Sequence, residues 1–187
     1  AYTLSQLNKK VILIDCDMRR PKLARLLHMG NKVGMSNLLM KPELLDEAIL
    51  HTETAGLDVI LSGSIPPNPS ELLGSSRMAS ILAKFREMFD YIIIDLPPVN
   101  IVSDAVAISS LISGMIVVIR EEYTEKKELE RCFRQLKLSN VNVLGCVLNE
   151  AKSGKGSYSI NGGEAAEWNG GDISLRGLED GIYTISL

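Results

Sequence analysis

Val11-Ile-Leu-Ile-Asp15, running on into Cys16-Asp17-Met18-Arg19-Arg20-Pro21, and Tyr91-Ile-Ile-Ile-Asp95, running on into Leu96-Pro97-Pro98, decide how this chain folds. Each is a short apolar run closed by a carboxylate. The runs are continuously apolar rather than alternating, which is what a strand covered on both faces by helices requires. Three more runs of the same kind follow the pattern: Leu57 to Leu61, Met115 to Ile119 and Val143 to Leu148. Between them lie stretches of helical period. In Ser70 to Phe89 the residues Leu72, Leu73, Met78, Ile81, Leu82, Phe85 and Phe89 return every three or four positions, and Glu125 to Leu138 repeats the pattern with Leu129, Cys132, Phe133 and Leu136. Strand and helix alternate, which predicts an α/β domain with a mostly parallel sheet and a ligand site at the carboxyl ends of its strands.

Composition bounds the rest. The 187 residues suffice for one complete core, and 45% apolar with 23% charged residues excludes collagen, coiled coil and wholesale disorder. A net charge of −3 gives no electrostatic reason to expect nucleic acid as a partner. The cysteines Cys16, Cys132 and Cys146 form no CxxC pair, so neither a disulfide framework nor a zinc site is suggested and a reducing cytoplasm fits best. Cys16 and Cys146 lie inside apolar runs and read as small buried hydrophobes. No run approaches the length of a membrane span. The opening Tyr2-Thr-Leu-Ser-Gln-Leu-Asn-Lys-Lys10 reads as the back half of a helix, so part of the domain is expected upstream of Ala1.

Composition changes after Asn149. The following residues hold eight of the fifteen glycines, no proline and the single tryptophan, Trp168, which places a boundary near Glu150, between a body at 1–149 and a glycine-rich tail at 150–187. Asp172 to Leu187 carries alternating runs around Asp180-Gly181 that read as a β-hairpin. It resembles the strand-turn-strand ends of repetitive β-sandwich modules on bacterial surface proteins, so the tail also reads as a foreign fusion.

Carboxylates at the ends of buried parallel strands stand where ligands bind, and a hard cation such as Mg²⁺ with phosphates is their natural partner. Asp95 is the Walker B candidate. Asp15 and Asp17, two apart in extended chain, would point to one side and share the ion or its waters. Arg19 reads either as a phosphate contact or as the neutralising partner of those two carboxylates, and Arg20 as a solvated charge.

These blocks, together with Ile65-Pro66-Pro67-Asn68-Pro69-Ser70-Glu71-Leu72-Leu73 and Arg77-Met78, resemble the bacterial tyrosine kinases that control capsule and exopolysaccharide synthesis. The resemblance runs from about Ala1 to Asn149. The first block is similar to that family's Walker A′ motif and the second to its Walker B motif; the generic DxD and DxPP parts are shared with ATPases that position division sites and partition chromosomes. The local physics agrees with a loop entering a helix: the prolines stiffen it, Ser70 reads as the N-cap, and Glu71 favours the first turn. The resemblance implies a P-loop NTPase-like three-layer fold and transfer of a phosphoryl group from ATP, with Mg²⁺, to tyrosine hydroxyls. It implies Asp95 as the magnesium residue, Asp17 acting through the metal's water shell, and Asp15 orienting or deprotonating the acceptor. Asn149, after the fifth strand, matches the position from which related ATPases contact adenine; as a residue type it is equally a common turn former. Implied partners are a membrane polysaccharide co-polymerase or activator, tyrosine-containing proteins including the kinase itself, and further copies in a homo-oligomer, all at the cytoplasmic face of the cell membrane.

The sequence departs from the family in two places. GxxxxGK[ST] should stand about ten residues before Ala1, by the helix length between the motifs, and it is not among these residues; the glutamate/arginine motif used for ring assembly would lie further upstream. Lys152-Ser-Gly-Lys-Gly-Ser157 does not substitute, because glycine follows Lys155 and no helical pattern comes after it. The tail carries only Tyr158 and Tyr183 in place of clustered tyrosines, with Tyr158 the candidate acceptor. Two other functions stay open: a partition or site-positioning type ATPase, and a truncated, non-catalytic interaction module. His28 and His51 have no ligand spacing and read as surface or helix-end residues, and Lys126 and Lys127 as a solvated helix face.

Overall fold

The computed structural model describes residues 1–30, 33–98, 102–121, 123–149, 156–160, 166–168 and 185–186. The polypeptide separates into two compact units, Ala1–Leu111 and Ile112–Leu187.

The first unit is built on β1 (Val11–Asp15), which lies inside a sheet of order β2-β3-β1-β4, with β2 at Leu50–His51, β3 at Leu57–Ile60 and β4 at Tyr91–Asp95. β3 and β4 flank β1 in parallel, and β2 closes the edge antiparallel. Val11, Ile12 and Ile14 are fully buried, as the apolar run requires. The register sets Asp15 directly across from Asp95, so both strand-end carboxylates arrive at one rim of the sheet. β2 has no counterpart among the expected strands: two residues are too few for periodicity to register.

Helices α1 (Tyr2–Ser5), α2 (Leu23–Leu26), α3 (Met35–Met40) and α4 (Leu45–Ala48) are short, and the long helix expected over Ser70 to Phe89 is two. α5 (Pro69–Leu73) ends at Gly74, and α6 (Ser76–Met88) restarts on Ser75, whose Oγ accepts from the Met78 N–H at 3.2 Å. A glycine followed by a capping serine breaks the helix while leaving Leu73, Met78, Ile81, Leu82 and Phe85 on its buried side. Ser70 is not the N-cap. Asn68 holds that place, Pro69 fills the first helical position, and Ser70 sits one residue inside, its hydroxyl free to reach elsewhere.

At the end of β3 the chain crosses itself tightly. Met35 and Ser36 N–H groups donate to the carbonyls of Leu61 and Ser62 at 2.7 and 2.9 Å, and the Asn37 Oδ1 accepts from Gly34 at 3.1 Å. Gly63 turns there with φ of +79°, and a Cβ on Gly34 would overlap the Gly63 nitrogen and the Leu61 oxygen. Because the atoms met are backbone, Gly34→Ala is expected to lower stability by about 2 kcal/mol in denaturant unfolding; an unchanged midpoint would refute the close crossing.

The second unit holds β5 (Met115–Arg120) and β6 (Val143–Asn149), parallel neighbours joined through α8 (Lys126–Leu138). β5 alternates: Met115 and Val117 are buried, with Cys132 and Leu136 of α8, while Ile116 and Val118 are exposed. Cys146, expected inside, is exposed, although its register partner in β5 is the buried Val117. In the glycine-rich tail β7 (Gly156–Ile160) pairs antiparallel with β8 (Ala166–Trp168) and β9 (Ile185–Ser186). The expected turn at Asp180-Gly181, like Glu150, lies outside the described residues. Among the described residues no helix is long and apolar enough to cross a membrane.

Candidate functional site

β1 delivers Asp15 to the sheet rim with 1% of its surface exposed. Strand geometry stops there, so the extended spacing that would align Asp15 and Asp17 does not continue. Instead the Asp17 N–H donates to Asp15 Oδ1 at 3.0 Å, and Asp17 Oδ1 accepts from the Arg19 and Arg20 N–H groups at 3.3 and 3.0 Å. The aspartates thus shape a tight turn out of their own loop, a local side-chain-to-backbone pattern. The second oxygen of Asp15, Oδ2, is buried and has no hydrogen-bond partner among the described residues.

The charges of Asp17 and Asp95 act on Asp15, and that of Asp17 on Asp95. Burial pushes Asp15 up to about 6; the N–H groups of Asp17 and Leu23 oppose the rise, and the charges of Asp95 and Asp17 add to it. Asp95, exposed on β4, is also pushed up, first by loss of water around its carboxyl and then by Asp17. An orphaned, buried carboxylate oxygen among like charges is chemically suited to a hard divalent cation. Among the described residues no three Asp, Glu, His or Cys side chains converge closely enough to hold a metal by themselves. Mg²⁺ takes one or two carboxylates and fills its remaining positions with water and phosphate oxygens, a demand that the buried Asp15 oxygen and its neighbouring carboxylates fit.

Arg19 feels the charge of Asp17, but its guanidinium hydrogen-bonds elsewhere. Its Nε donates to Asp104 Oδ2 at 3.1 Å and its Nη2 to Asp104 Oδ1 at 3.1 Å, a bidentate pair with a residue of α7 (Val102–Ser109). Nη2 also donates to Ser70 Oγ at 3.1 Å, and the Ser70 hydroxyl donates to Asp104 Oδ1. Burial works to raise Asp104, but the Arg19 guanidinium and the Ser70 hydroxyl outweigh it and hold the carboxyl below its usual range. Sequence reasoning missed Asp104. The available signal was a single acid inside the otherwise uncharged run Val102-Ser-Asp-Ala-Val-Ala-Ile-Ser109.

The remaining expected residues belong to the second unit. Asn149 ends β6, exposed, with its carbonyl accepting from the Glu121 N–H at 3.1 Å, and Tyr158 lies in β7 with Ala166 as its Cα partner. Of the histidines, His51 Nδ1 on the edge strand β2 lies 2.7 Å from Asp58 Oδ1 on β3, and His28 is exposed after α2. Cys16 is fully buried, and burial with the neighbouring carboxylates pushes its thiol far up, which suits an inert core residue.

A family model described as an AAA domain matches residues 1–143. Tyrosine-protein kinase ptk of Acinetobacter johnsonii is 37% identical over 158 residues, covering 84% of this chain and 22% of that protein. Putative tyrosine-protein kinase CapB of Staphylococcus aureus is 35% identical over 157 residues, covering 84% of this chain and 69% of that protein. The crystal structure of the chimerical protein CapA2B2 superimposes with a TM-score of 0.77 at 34% identity, over 81% of this chain and 67% of that one. The chain thus spans about a fifth of some relatives it matches and about two thirds of others. Septum site-determining proteins of known structure, at 18–19% identity and TM-scores of 0.57–0.59, share the fold alone.

Proposed function

Because this chain belongs to the bacterial tyrosine-protein kinase family, we propose that it forms most of the catalytic domain of a tyrosine autokinase that transfers the γ-phosphoryl group of ATP to tyrosine hydroxyls and so regulates capsular or exopolysaccharide synthesis and export. The observation that carries this reading is the buried, unpartnered Oδ2 of Asp15 beside the charges of Asp17 and Asp95. Phosphoryl transfer asks a protein for positioning and charge neutralisation more than for covalent chemistry. Asp95 and Asp17 would hold Mg²⁺, which when bound neutralises phosphate charge. Asp15 would orient the acceptor hydroxyl or take its proton: its carboxyl, raised to about 6, is mostly ionised at pH 7 yet more basic than an ordinary aspartate. The Asp17 N–H holds Asp15 Oδ1 in place.

In this reading residues 1–149 are the nucleotide-handling body and 150–187 a separate tail. Asn149 contacts the adenine, Arg19 stands near the phosphates and Tyr158 is an acceptor. The partners are a membrane polysaccharide co-polymerase, tyrosine-containing proteins and further copies of the kinase, at the inner face of the cell membrane. The test is incubation of the full-length protein with MgATP, reading phosphotyrosine and ADP together. Phosphotyrosine in proportion to ADP is expected. ADP without phosphotyrosine would replace the kinase by a site-positioning type ATPase, and no nucleotide binding at all would leave an interaction module.

A further inference from the structure

Arg19 feels the charge of Asp17, yet its guanidinium gives its hydrogen bonds to Asp104 and Ser70 rather than to the Asp15, Asp17 and Asp95 carboxylates. Asp15, Asp17 and Asp95 act on one another as like charges, and the charges felt by Asp15 are those of Asp95 and Asp17, both of its own sign. Arg19 stands two residues from Asp17, and a guanidinium there would ordinarily satisfy the buried Asp15 Oδ2, since a bidentate Arg–carboxylate pair is a strong charge-assisted contact. Instead that oxygen is left without a partner, and the guanidinium is turned toward a fourth carboxylate.

Asp104 is built for that task. Its side chain is 2% exposed against 35% for Arg19, both its oxygens are committed to the guanidinium, and the Ser70 hydroxyl bridges the two. Leaving a buried carboxylate unpaired is costly, so Asp104 binds its arginine more strongly than a solvated acid would. Ser70 reaches the pair only because Asn68 and Pro69 take the capping positions of α5. The next cation, Arg20, is exposed and solvated.

We propose that Asp104, with Ser70, is a positioning residue that sequesters the Arg19 guanidinium and thereby keeps the Asp15, Asp17 and Asp95 carboxylates open to a divalent cation. The inference rests on the cation reading of that cluster. Neutralising Asp104 releases the guanidinium, which then falls onto the aspartates and competes with the metal; removing the guanidinium as well relieves the competition. A merely structural Asp104 would show no such relief.

Binding of Mn²⁺ alone to the full-length protein, followed by the electron paramagnetic resonance of the free ion, tests this without recourse to kinase activity. Asp104→Asn is expected to bind Mn²⁺ about tenfold more weakly than wild type, the size of effect produced by one added like-sign charge at a binding site. The double variant Arg19→Gln/Asp104→Asn is expected to return to within about twofold of wild type. Wild-type affinity in Asp104→Asn, or a double variant no better than the single, overturns the proposal. If Asp104→Asn does not fold by circular dichroism, Arg19→Gln alone decides: affinity equal to or tighter than wild type supports sequestration, and a tenfold loss overturns it. A different failure, in which wild type binds no Mn²⁺ or Asp95→Asn binds it unchanged, overturns the cation reading and this inference with it.

Discussion

Asp95→Ala in the full-length protein is expected to lower phosphotyrosine formation by about 10²–10³-fold, the usual cost of deleting one group that stabilises transition-state charge. The fold should not notice. Asp95 ends β4, it is exposed, and what β1 needs from it is its backbone carbonyl, which accepts from the Cys16 N–H at 2.8 Å whatever the side chain. Removing its carboxyl also relieves like-charge pressure on Asp15, so the unfolding midpoint should stay level or rise slightly. Phosphotyrosine formation and thermal unfolding, read on the same preparation, separate the two effects. Phosphorylation at wild-type level would remove Asp95 from the metal site.

Asp15→Asn is expected to be more stable than wild type at neutral pH while losing activity. The sign follows from linkage. The carboxyl titrates near 3.8 in the unfolded chain and at about 6 when folded, so between those values the folded state holds more protons than the unfolded one, and stability falls as pH rises. Above pH 6 the penalty is fully developed, roughly 3 kcal/mol, since each tenfold change in proton affinity is worth about 1.4 kcal/mol. Asparagine keeps the shape and avoids the buried charge. Denaturant unfolding of both proteins from pH 3.5 to 8, with chelator present, should show curves that meet at the acid end and separate as pH rises, the variant ahead. Parallel curves would mean that Asp15 is not strained in the folded state. Added Mg²⁺ should narrow the gap by stabilising the wild type alone. The cost of keeping this carboxylate buried and unpaired is the kind of local instability that binding sites retain.

The apolar runs were legible as strands because their information is local. Five continuous runs became five strands within a residue or so of the expected ends, and two of those ends carry Asp15 and Asp95. The short strand Leu50–His51 and the short helices at Leu23–Leu26, Met35–Met40 and Leu45–Ala48 were not legible, because elements of two to six residues owe their form to what they pack against rather than to period. The break at Gly74-Ser75 was written in the sequence and outweighed by an apolar stripe that continues across it.

The sequence by itself determined the α/β class, the parallel core strands and the placing of carboxylates at strand ends, all consequences of the burial of neighbouring residues in one chain segment. Only the tertiary structure decided which charges meet. The Arg19 guanidinium pairs with Asp104, eighty-five residues away, and not with Asp17, two residues away, whose carboxylate already accepts from the N–H groups of its own turn. The role of Ser70, one residue off the expected cap, followed from the same meeting. Periodicity reports what a segment buries; it carries no information about partners brought together by the closing of the fold.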